Sequence, residues 1–135
     1  MALTAAQRIA ARTVTRILGF PDTWDQTMWM RRGGHGTYDA SAIIGGDCSP
    51  SRWEDCGTTA CAAGHIVAAA VELGAPEVEQ AARPTCLIDD TAGRLLRLTA
   101  RQQEWLFDAG RSRDEVVSAL SAVVVDGHMD RVSDA

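Results

Sequence analysis

The chain has no lysine and no asparagine, and its 13 positive charges are all arginines. Both missing residues need AT-rich codons, so we infer a GC-rich coding genome. The net charge is −5, and the excess of acids lies in residues 66–135. Binding to nucleic acid irrespective of sequence depends on neutralising phosphates. The acidic balance therefore argues against a protein that binds nucleic acid over a broad surface.

The chain also lacks a long hydrophobic run. Its longest apolar stretch, residues 66–71, is far shorter than the roughly 20 residues that a membrane-spanning helix needs. Residues 1–8 lack the basic region followed by an apolar run that marks a secretory signal. We therefore expect a cytoplasmic protein, without membrane contact, whose four cysteines are reduced.

Residues 56–74 predict the helix around which the rest of the chain is organised. The expected helix spans about 59–73, with Thr58 or Thr59 as its N-cap and Gly74 as its stop. An alanine-rich helix with almost no charge on any face must be buried by its neighbours. Small residues recur every four positions along one face and predict a close approach of another helix, in the monomer core or in a homodimer: Ala60, Gly64 and Ala68.

Three further helix starts are marked by capping boxes, in which two side chains satisfy each other's backbone N–H groups. They are Thr4–Gln7, Thr99–Gln102 and Ser112–Glu115. Additional helices are expected over 77–83 and from Asp89 or Asp90 onward. The glycine-rich segment 31–57 is expected to be irregular, with a short strand or hairpin arm at 38–44. The pattern predicts one all-α domain, a helical bundle over residues 1–127, followed by a polar tail over 128–135.

A metal site is one interpretation of the cysteines. Cys61 and His65 stand four apart on the expected helix and so share a face. Cys48 and Cys56 would complete a tetrahedral zinc set, with Cys86 as a further thiol. The four residues between Cys56 and Cys61 match one half of a common zinc pattern. This set would make the protein a zinc-stabilised structural module.

A thiol nucleophile is the second interpretation. Cys61 would lie in the first turn of the central helix and Cys56 just before it, where the helix N-terminus lowers the pKa of a thiol. His35 or His65 would be the general base.

A disulfide between Cys56 and Cys61 is the third interpretation, with Cys56 in the turn before the helix. The simplest interpretation, and the one that the residues favour, is that all four cysteines are packed, reduced and unreactive.

Two groups of side chains are candidates for binding a partner. The first helix carries an arginine on every fourth residue, which is typical of a solvated face or of a surface for an acidic partner: Arg8, Arg12 and Arg16. Two tryptophans and two methionines then follow closely, which is typical of core packing or of an exposed aromatic patch: Trp24, Met28, Trp29 and Met30.

The order of motifs resembles a loose family of uncharacterised small proteins from actinobacteria and their phages. The matching segments are 21–25 with Trp29, the Cys-Gly-Thr-x-x-Cys-x-Ala-Gly segment at 56–64, and 96–102 followed by Leu106 and Phe107. Members often carry tryptophan where this chain has His65. The resemblance implies a compact cytosolic accessory protein borne by a phage or mobile element, and it implies no activity.

The sequence therefore favours a small non-enzymatic binding or regulatory protein that contacts a host protein or a second copy of itself, without a cofactor. The thiol enzyme and the zinc module are the two alternatives.

Overall fold

The computed structural model describes residues 2–129. This part of the chain contains eight α-helices and one small antiparallel sheet of three strands. The helices are α1 Ala5–Gly19, α2 Ser41–Ile44, α3 Trp53–Cys56, α4 Ala62–Glu72, α5 Glu77–Ala82, α6 Ile88–Leu95, α7 Ala100–Leu106 and α8 Arg113–Asp126, and the strands are β1 Met30–Arg32, β2 His35–Thr37 and β3 Thr59–Ala60. None of the helices in residues 2–129 combines the length and the apolar character needed to cross a bilayer.

Helix α4 is the core of the fold, as the sequence predicts. Every residue from 62 to 70 is buried, and α1, α2 and α6 pack around it. The helix begins later than expected, because Thr59 and Ala60 form β3 and Cys61 is the N-cap residue. Neither Thr58 nor Thr59 caps it. After the helix, Gly74 adopts the expected left-handed conformation at φ +63°.

The three predicted capping boxes are all formed, at the starts of α1, α7 and α8. In the first of them, the Gln7 backbone N–H donates to the Thr4 hydroxyl at 3.1 Å, and the Thr4 N–H donates to the Gln7 side chain at 2.8 Å. Helices α1 and α8 then pack against each other, and α1 also packs on α4. Local sequence signals alone placed the starts of these three helices correctly.

The small sheet corrects the prediction of a purely helical fold. Strand β1 is central, with β2 and β3 paired antiparallel on either side. Gly33 and Gly34 both have positive φ, +58° and +84°, which is the backbone of a two-residue hairpin turn. The hairpin therefore lies at 30–37, and the segment 38–44 expected to form it contains α2 instead.

Gly64 allows the hairpin strand to approach the core helix. A Cβ at this position would overlap the carbonyl oxygen of Trp29 and the Cβ of Ala60. The predicted small-residue face exists, but at Gly64 it packs against the backbone of Trp29, just before β1, rather than against another helix. This contact fixes Trp29 against α4.

Of the tail predicted for 128–135, only two residues belong to the described part. His128 is exposed. Met129 is buried, and its carbonyl accepts a hydrogen bond from the Gln102 side chain at 3.3 Å. Residues 130–135 lie outside the described range.

Candidate functional sites: a buried arginine cluster and an aromatic cleft

Arg16 is inside the protein rather than on the predicted arginine face. Arg8 and Arg12 are exposed, whereas Arg16 is only 4% exposed. Its Nη1 group donates to Glu72 Oε1 at 2.6 Å and to the Pro50 carbonyl at 2.8 Å. Burial lowers the pKa of Arg16, and the hydrogen bond and charge of Glu72 oppose that shift. Arg16 therefore belongs to a buried ion pair and is not available to a partner.

His65 is fully buried next to Arg16, and both of its ring nitrogens are engaged. Its Nε2 lies 2.8 Å from the carbonyl oxygen of Thr23 and must donate to it, while Nδ1 accepts from Arg16 Nε–H at 3.3 Å. Burial, reinforced by the charge of Arg16, lowers the pKa of His65 to about 3. His65 is therefore a neutral structural group, with no free nitrogen to act as a base or a metal ligand.

Two tryptophans enclose this pair. The Arg16 guanidinium lies 4.7 Å above the ring of Trp53, and the Trp53 ring centroid is 5.3 Å from that of His65. Trp24, predicted as a binding residue, is half-buried and stacks against His65 at 6.5 Å. We name Arg16, His65, Glu72, Trp53 and Trp24 the buried arginine cluster.

The cysteine pairing differs from every interpretation of the sequence. Cys48 and Cys56 form a disulfide, with their Cα atoms 6.6 Å apart. Cys61 instead points into the core, where its thiol donates to the Trp29 carbonyl at 3.8 Å. The predicted Cys56–Cys61 bond is therefore wrong, as is the expectation that all four cysteines are reduced. The disulfide closes the loop that carries Pro50 and Trp53 to Arg16.

The set predicted for a thiol enzyme is not brought together. Cys61 is buried, and burial raises the pKa of its thiol to about 12. Cys56 is held in the disulfide, and its sulfur accepts a hydrogen bond from the Thr58 hydroxyl at 3.0 Å. His35 is exposed on β2, which β1 separates from β3 and Cys61. No thiol–imidazole pair results from this arrangement.

The predicted zinc ligands are not assembled either. Cys48 and Cys56 are bonded to each other, and His65 has no free nitrogen. Residues 2–129 contain no group of three or more histidine, cysteine or acidic side chains placed to hold a metal ion. The remaining free thiol of Cys86 donates to Asp39 at 3.2 Å, and this hydrogen bond raises its pKa.

A second feature is an open cleft of about 210 Å³ beside β1, which we name the aromatic cleft. It is lined by Gln26, Thr27, Met28, Trp29, Tyr38, Phe107 and Ala109. The Trp29 ring centroid lies 6.4 Å from those of both Tyr38 and Phe107, with interplanar angles of 64° and 87°. Of the three rings, Tyr38 is 60% exposed and Phe107 is buried.

Elements distant in sequence hold the cleft in place. Met30 pairs with Thr37, so Trp29 and Tyr38 occupy the next opposed positions beyond the paired strands. On the other side, buried Gln26 donates to the carbonyl oxygens of Leu106 and Asp108, both at 3.0 Å. The Gln26 side-chain oxygen also accepts from the first backbone N–H of α4, that of Ala62, at 3.0 Å.

Of the residues that line this cleft, Met28 and Trp29 belong to the aromatic patch predicted from the sequence, whereas Tyr38 and Phe107 were not predicted as binding residues. The consecutive glycines 33 and 34 were the signal for a hairpin that returns Tyr38 to Trp29. No comparable local signal points to Phe107. Its segment is held at the cleft by hydrogen bonds from Gln26, which lies far away in the chain.

A larger groove of about 410 Å³ lies between the start of α1, α5 and α6. Its lining contains no aromatic ring and consists mainly of alanine and polar side chains. The Arg94 side chain beside it already donates to the Ala81 carbonyl at 2.8 Å. The aromatic cleft is therefore the stronger candidate for a binding site.

The chain matches no protein-family model, no curated protein and no solved structure. The resemblance to the actinobacterial and phage family therefore stays a prediction.

Proposed function

We propose that this is a non-enzymatic binding protein that contacts another protein through the aromatic cleft. The observation that carries the proposal is the open pocket formed by Trp29, Tyr38 and Phe107. Aromatic side chains around a small pocket are typical of the positions that contribute most to protein–protein affinity. The pocket has the size for one anchoring side chain rather than for a helix, and Tyr38 at its rim is exposed.

The chemistry of the histidine and the thiols supports a binding function over the thiol enzyme. A nucleophilic cysteine needs a lowered pKa or an adjacent base. Cys61 has the opposite shift, and His65 uses its nitrogens to hold Arg16 and Thr23. Both residues are used by the core, so neither supports the thiol enzyme.

The proposal is tested by comparing which proteins the chain captures with and without the cleft. Wild type, Tyr38→Ala and Phe20→Ala would each be immobilised and exposed to an extract of the source organism, with quantitative mass spectrometry of the retained proteins. Phe20 is the matched control, because it is an exposed aromatic residue outside the cleft.

We expect at least one protein to be retained by wild type and by Phe20→Ala and lost by Tyr38→Ala. Identical sets of retained proteins for all three baits, or no retained protein at all, would contradict the proposal.

A cytoplasmic location and an origin in a phage or mobile element remain parts of this proposal. The Cys48–Cys56 bond weighs against the cytoplasm, because disulfides persist mainly in oxidising compartments. Trapping thiols with an alkylating reagent at the moment of cell lysis tests this point. Modified Cys48 and Cys56 would support the cytoplasm, and an intact bond would contradict it.

A further inference from the structure

We propose that the Cys48–Cys56 bond is a thiol-exchange site, at which a small-molecule thiol attacks Cys48 and Cys56 is the leaving sulfur. The exchange makes the loop 48–56 sensitive to the reducing power of its surroundings. None of the residues that line the aromatic cleft belongs to this loop, so the inference does not depend on the binding function proposed above. The two sulfurs differ in their hydrogen-bond partners, and this difference carries the inference.

The bond lies in a surface loop that a small thiol can reach. Cys48 and Cys56 are both half-buried, and the residues directly before and after each of them are all exposed. In thiol–disulfide exchange a thiolate must approach one sulfur of the disulfide from outside, so access to the bond is required. The Cys48–Cys56 bond meets this requirement, whereas a disulfide enclosed in the core would not.

Cys56 is the sulfur that has a hydrogen-bond donor. The Arg32 Nε–H donates to the Thr58 hydroxyl oxygen at 2.7 Å, which leaves the hydroxyl proton free for another acceptor. The Cys56 sulfur lies 3.0 Å from the same oxygen and accepts that proton, because a disulfide sulfur carries none of its own. Arg32 and Thr58 therefore direct a donor, backed by a positive charge, at one of the two sulfurs.

The Cys48 sulfur has no comparable donor among residues 2–129. It lies 3.4 Å from the Arg52 carbonyl oxygen, which can only accept. The Cys56 sulfur also faces a carbonyl oxygen, that of Trp53, but at 3.7 Å. Arg32 reaches Cys48 only at its main-chain carbonyl, at 3.4 Å. A thiolate is stabilised by a hydroxyl donor and disfavoured by a carbonyl oxygen, so negative charge is better accommodated on Cys56.

The charged neighbours do not reverse this difference. Each cysteine directly follows an exposed aspartate, Asp47 or Asp55. Arg52 pairs with Asp55 at 3.5 Å, which partly offsets the carboxylate next to Cys56. In thiol–disulfide exchange the sulfur whose negative charge is better stabilised leaves faster. Cys56 is therefore the leaving sulfur, and Cys48 is the sulfur that is attacked.

The exchange proceeds in two steps. In the first, a thiolate of the reductant bonds to the Cys48 sulfur, the Cys48–Cys56 bond breaks, and its electron pair leaves on Cys56, where Thr58 stabilises it. In the second, another reductant thiolate attacks the reductant sulfur of this mixed disulfide and releases Cys48 as a thiolate. The two cysteines take up the protons that the two reductant thiols released. The chain gains two electrons, and two reductant thiols become one disulfide.

Reduction releases the loop from the buried arginine cluster. The disulfide joins the two ends of the loop 48–56, which brings the Pro50 carbonyl to Arg16 and the Trp53 ring against its guanidinium. Without the covalent link, the entropy of closing the loop opposes these contacts. The cluster is therefore ordered in the oxidised chain and loosened in the reduced chain.

The first test locates the sulfur that is attacked. The oxidised full chain would be treated with glutathione, quenched with acid at short times, and blocked with N-ethylmaleimide at its free thiols before mass spectrometry. We expect glutathione on Cys48 with maleimide on Cys56 in at least about tenfold excess over the reverse pattern, because hydrogen bonds to charged groups are strong. Equal amounts of the two products, an excess of glutathione on Cys56, or a bond that excess glutathione leaves intact would overturn the proposal.

Variants of Arg32 and Thr58 test their positioning role. Thr58→Val removes the hydroxyl with little change of shape and Arg32→Gln removes the charge, so each should bring the ratio of the two products to within about threefold of unity. Thr58→Ser keeps the hydroxyl, and Arg31→Gln removes a charge from the exposed neighbouring residue, so both should keep the wild-type ratio. The ratio compares two sulfurs in one molecule, so a uniform loss of stability does not change it. A wild-type ratio in Thr58→Val and Arg32→Gln would overturn the assignment.

Hydrogen exchange tests the release of the loop. Reduction should accelerate amide exchange in residues 49–58 by at least about tenfold and leave α7, which packs on α6, unchanged. The double variant Cys48→Ser/Cys56→Ser, which cannot form the bond, should exchange as the reduced wild type does. Unchanged exchange in residues 49–58 after reduction would overturn the proposed sensitivity of the loop.

Discussion

The Nε–H group of Arg16 donates to Nδ1 of His65 at 3.3 Å, which joins helix α1 to helix α4 in the middle of the core. Because the other ring nitrogen faces the Thr23 carbonyl, this contact fixes His65 as a neutral ring protonated on Nε2. It also explains why the arginine that continues the pattern of Arg8 and Arg12 is not a surface residue. The helical spacing of the three arginines is regular, but the third is directed inward by Glu72 and His65.

Arg16→Lys should destabilise the protein by about 3 kcal/mol. A lysine has one ammonium group and cannot bind Glu72 and His65 from separate nitrogens while stacking on Trp53. Without the guanidinium, Glu72 loses part of its ion pair although its side chain is only 15% exposed. Urea unfolding measures the change.

The control for this variant is Arg12→Lys, one turn earlier on the same helix. Because Arg12 is exposed, the free energy of unfolding of Arg12→Lys should stay within about 0.5 kcal/mol of the wild-type value. Equal losses of unfolding free energy in Arg16→Lys and Arg12→Lys would show that Arg16 does not stabilise the buried arginine cluster.

The stability of the wild type should fall as the pH is lowered from about 6.5 to 5. The pKa of His65 is about 3 in the folded protein and near 6.5 when the chain is unfolded, so the unfolded state takes up the proton first. The expected slope is up to about 1.4 kcal/mol per pH unit. The carboxylates with lowered pKa values, Asp25, Asp39 and Glu115, reduce stability only at lower pH, below about 4.5.

His65→Gln should remove this slope, because glutamine does not titrate. His35→Gln, at an exposed position on β2, should keep it. The measurement is the free energy of unfolding in urea at several pH values between 5 and 7. A slope that survives in His65→Gln would mean that another group titrates in this range.

Reduction of the Cys48–Cys56 bond should lower the melting temperature by roughly 5–12 °C. The bond closes a short loop, with a sequence separation of 8, and loops of this size contribute about 2–3 kcal/mol through the unfolded state. The loop also positions Pro50 and Trp53 on Arg16, so reduction loosens the buried cluster.

Thermal melts with and without reductant check the disulfide prediction. The double variant Cys48→Ser/Cys56→Ser should be insensitive to reductant, and Cys86→Ser should respond as wild type does. Identical melting curves for the wild type in both conditions would contradict the disulfide.

Local signals in the sequence predicted the longer helices of the fold. Thr4, Thr99 and Ser112 start their helices where the capping boxes placed them, because the partners of each box are three residues apart. The burial of α4 followed from its composition alone. Both inferences use interactions within one or two helical turns.

The features that the sequence did not reveal depend on residues far apart in the chain. Arg16 and Glu72 are separated by 56 residues, and Gln26 reaches Leu106 across 80. Four cysteines allow several pairings, and spacing cannot choose among them. The β3 residues Thr59 and Ala60 carry a strong local signal for a helix start, but pairing with Met30 and Arg31 overrides it.

The central claim is that Cys61 and His65 belong to the core of the protein rather than to an active site. The most direct test is the rate at which iodoacetamide modifies each thiol at neutral pH, read by mass spectrometry, with N-acetylcysteine amide as the free-thiol reference. We predict that Cys86 is modified slowly and Cys61 not at all in the folded protein, and that both are modified after unfolding in urea. Modification of Cys61 in the folded protein as fast as the reference, or faster, would contradict the account.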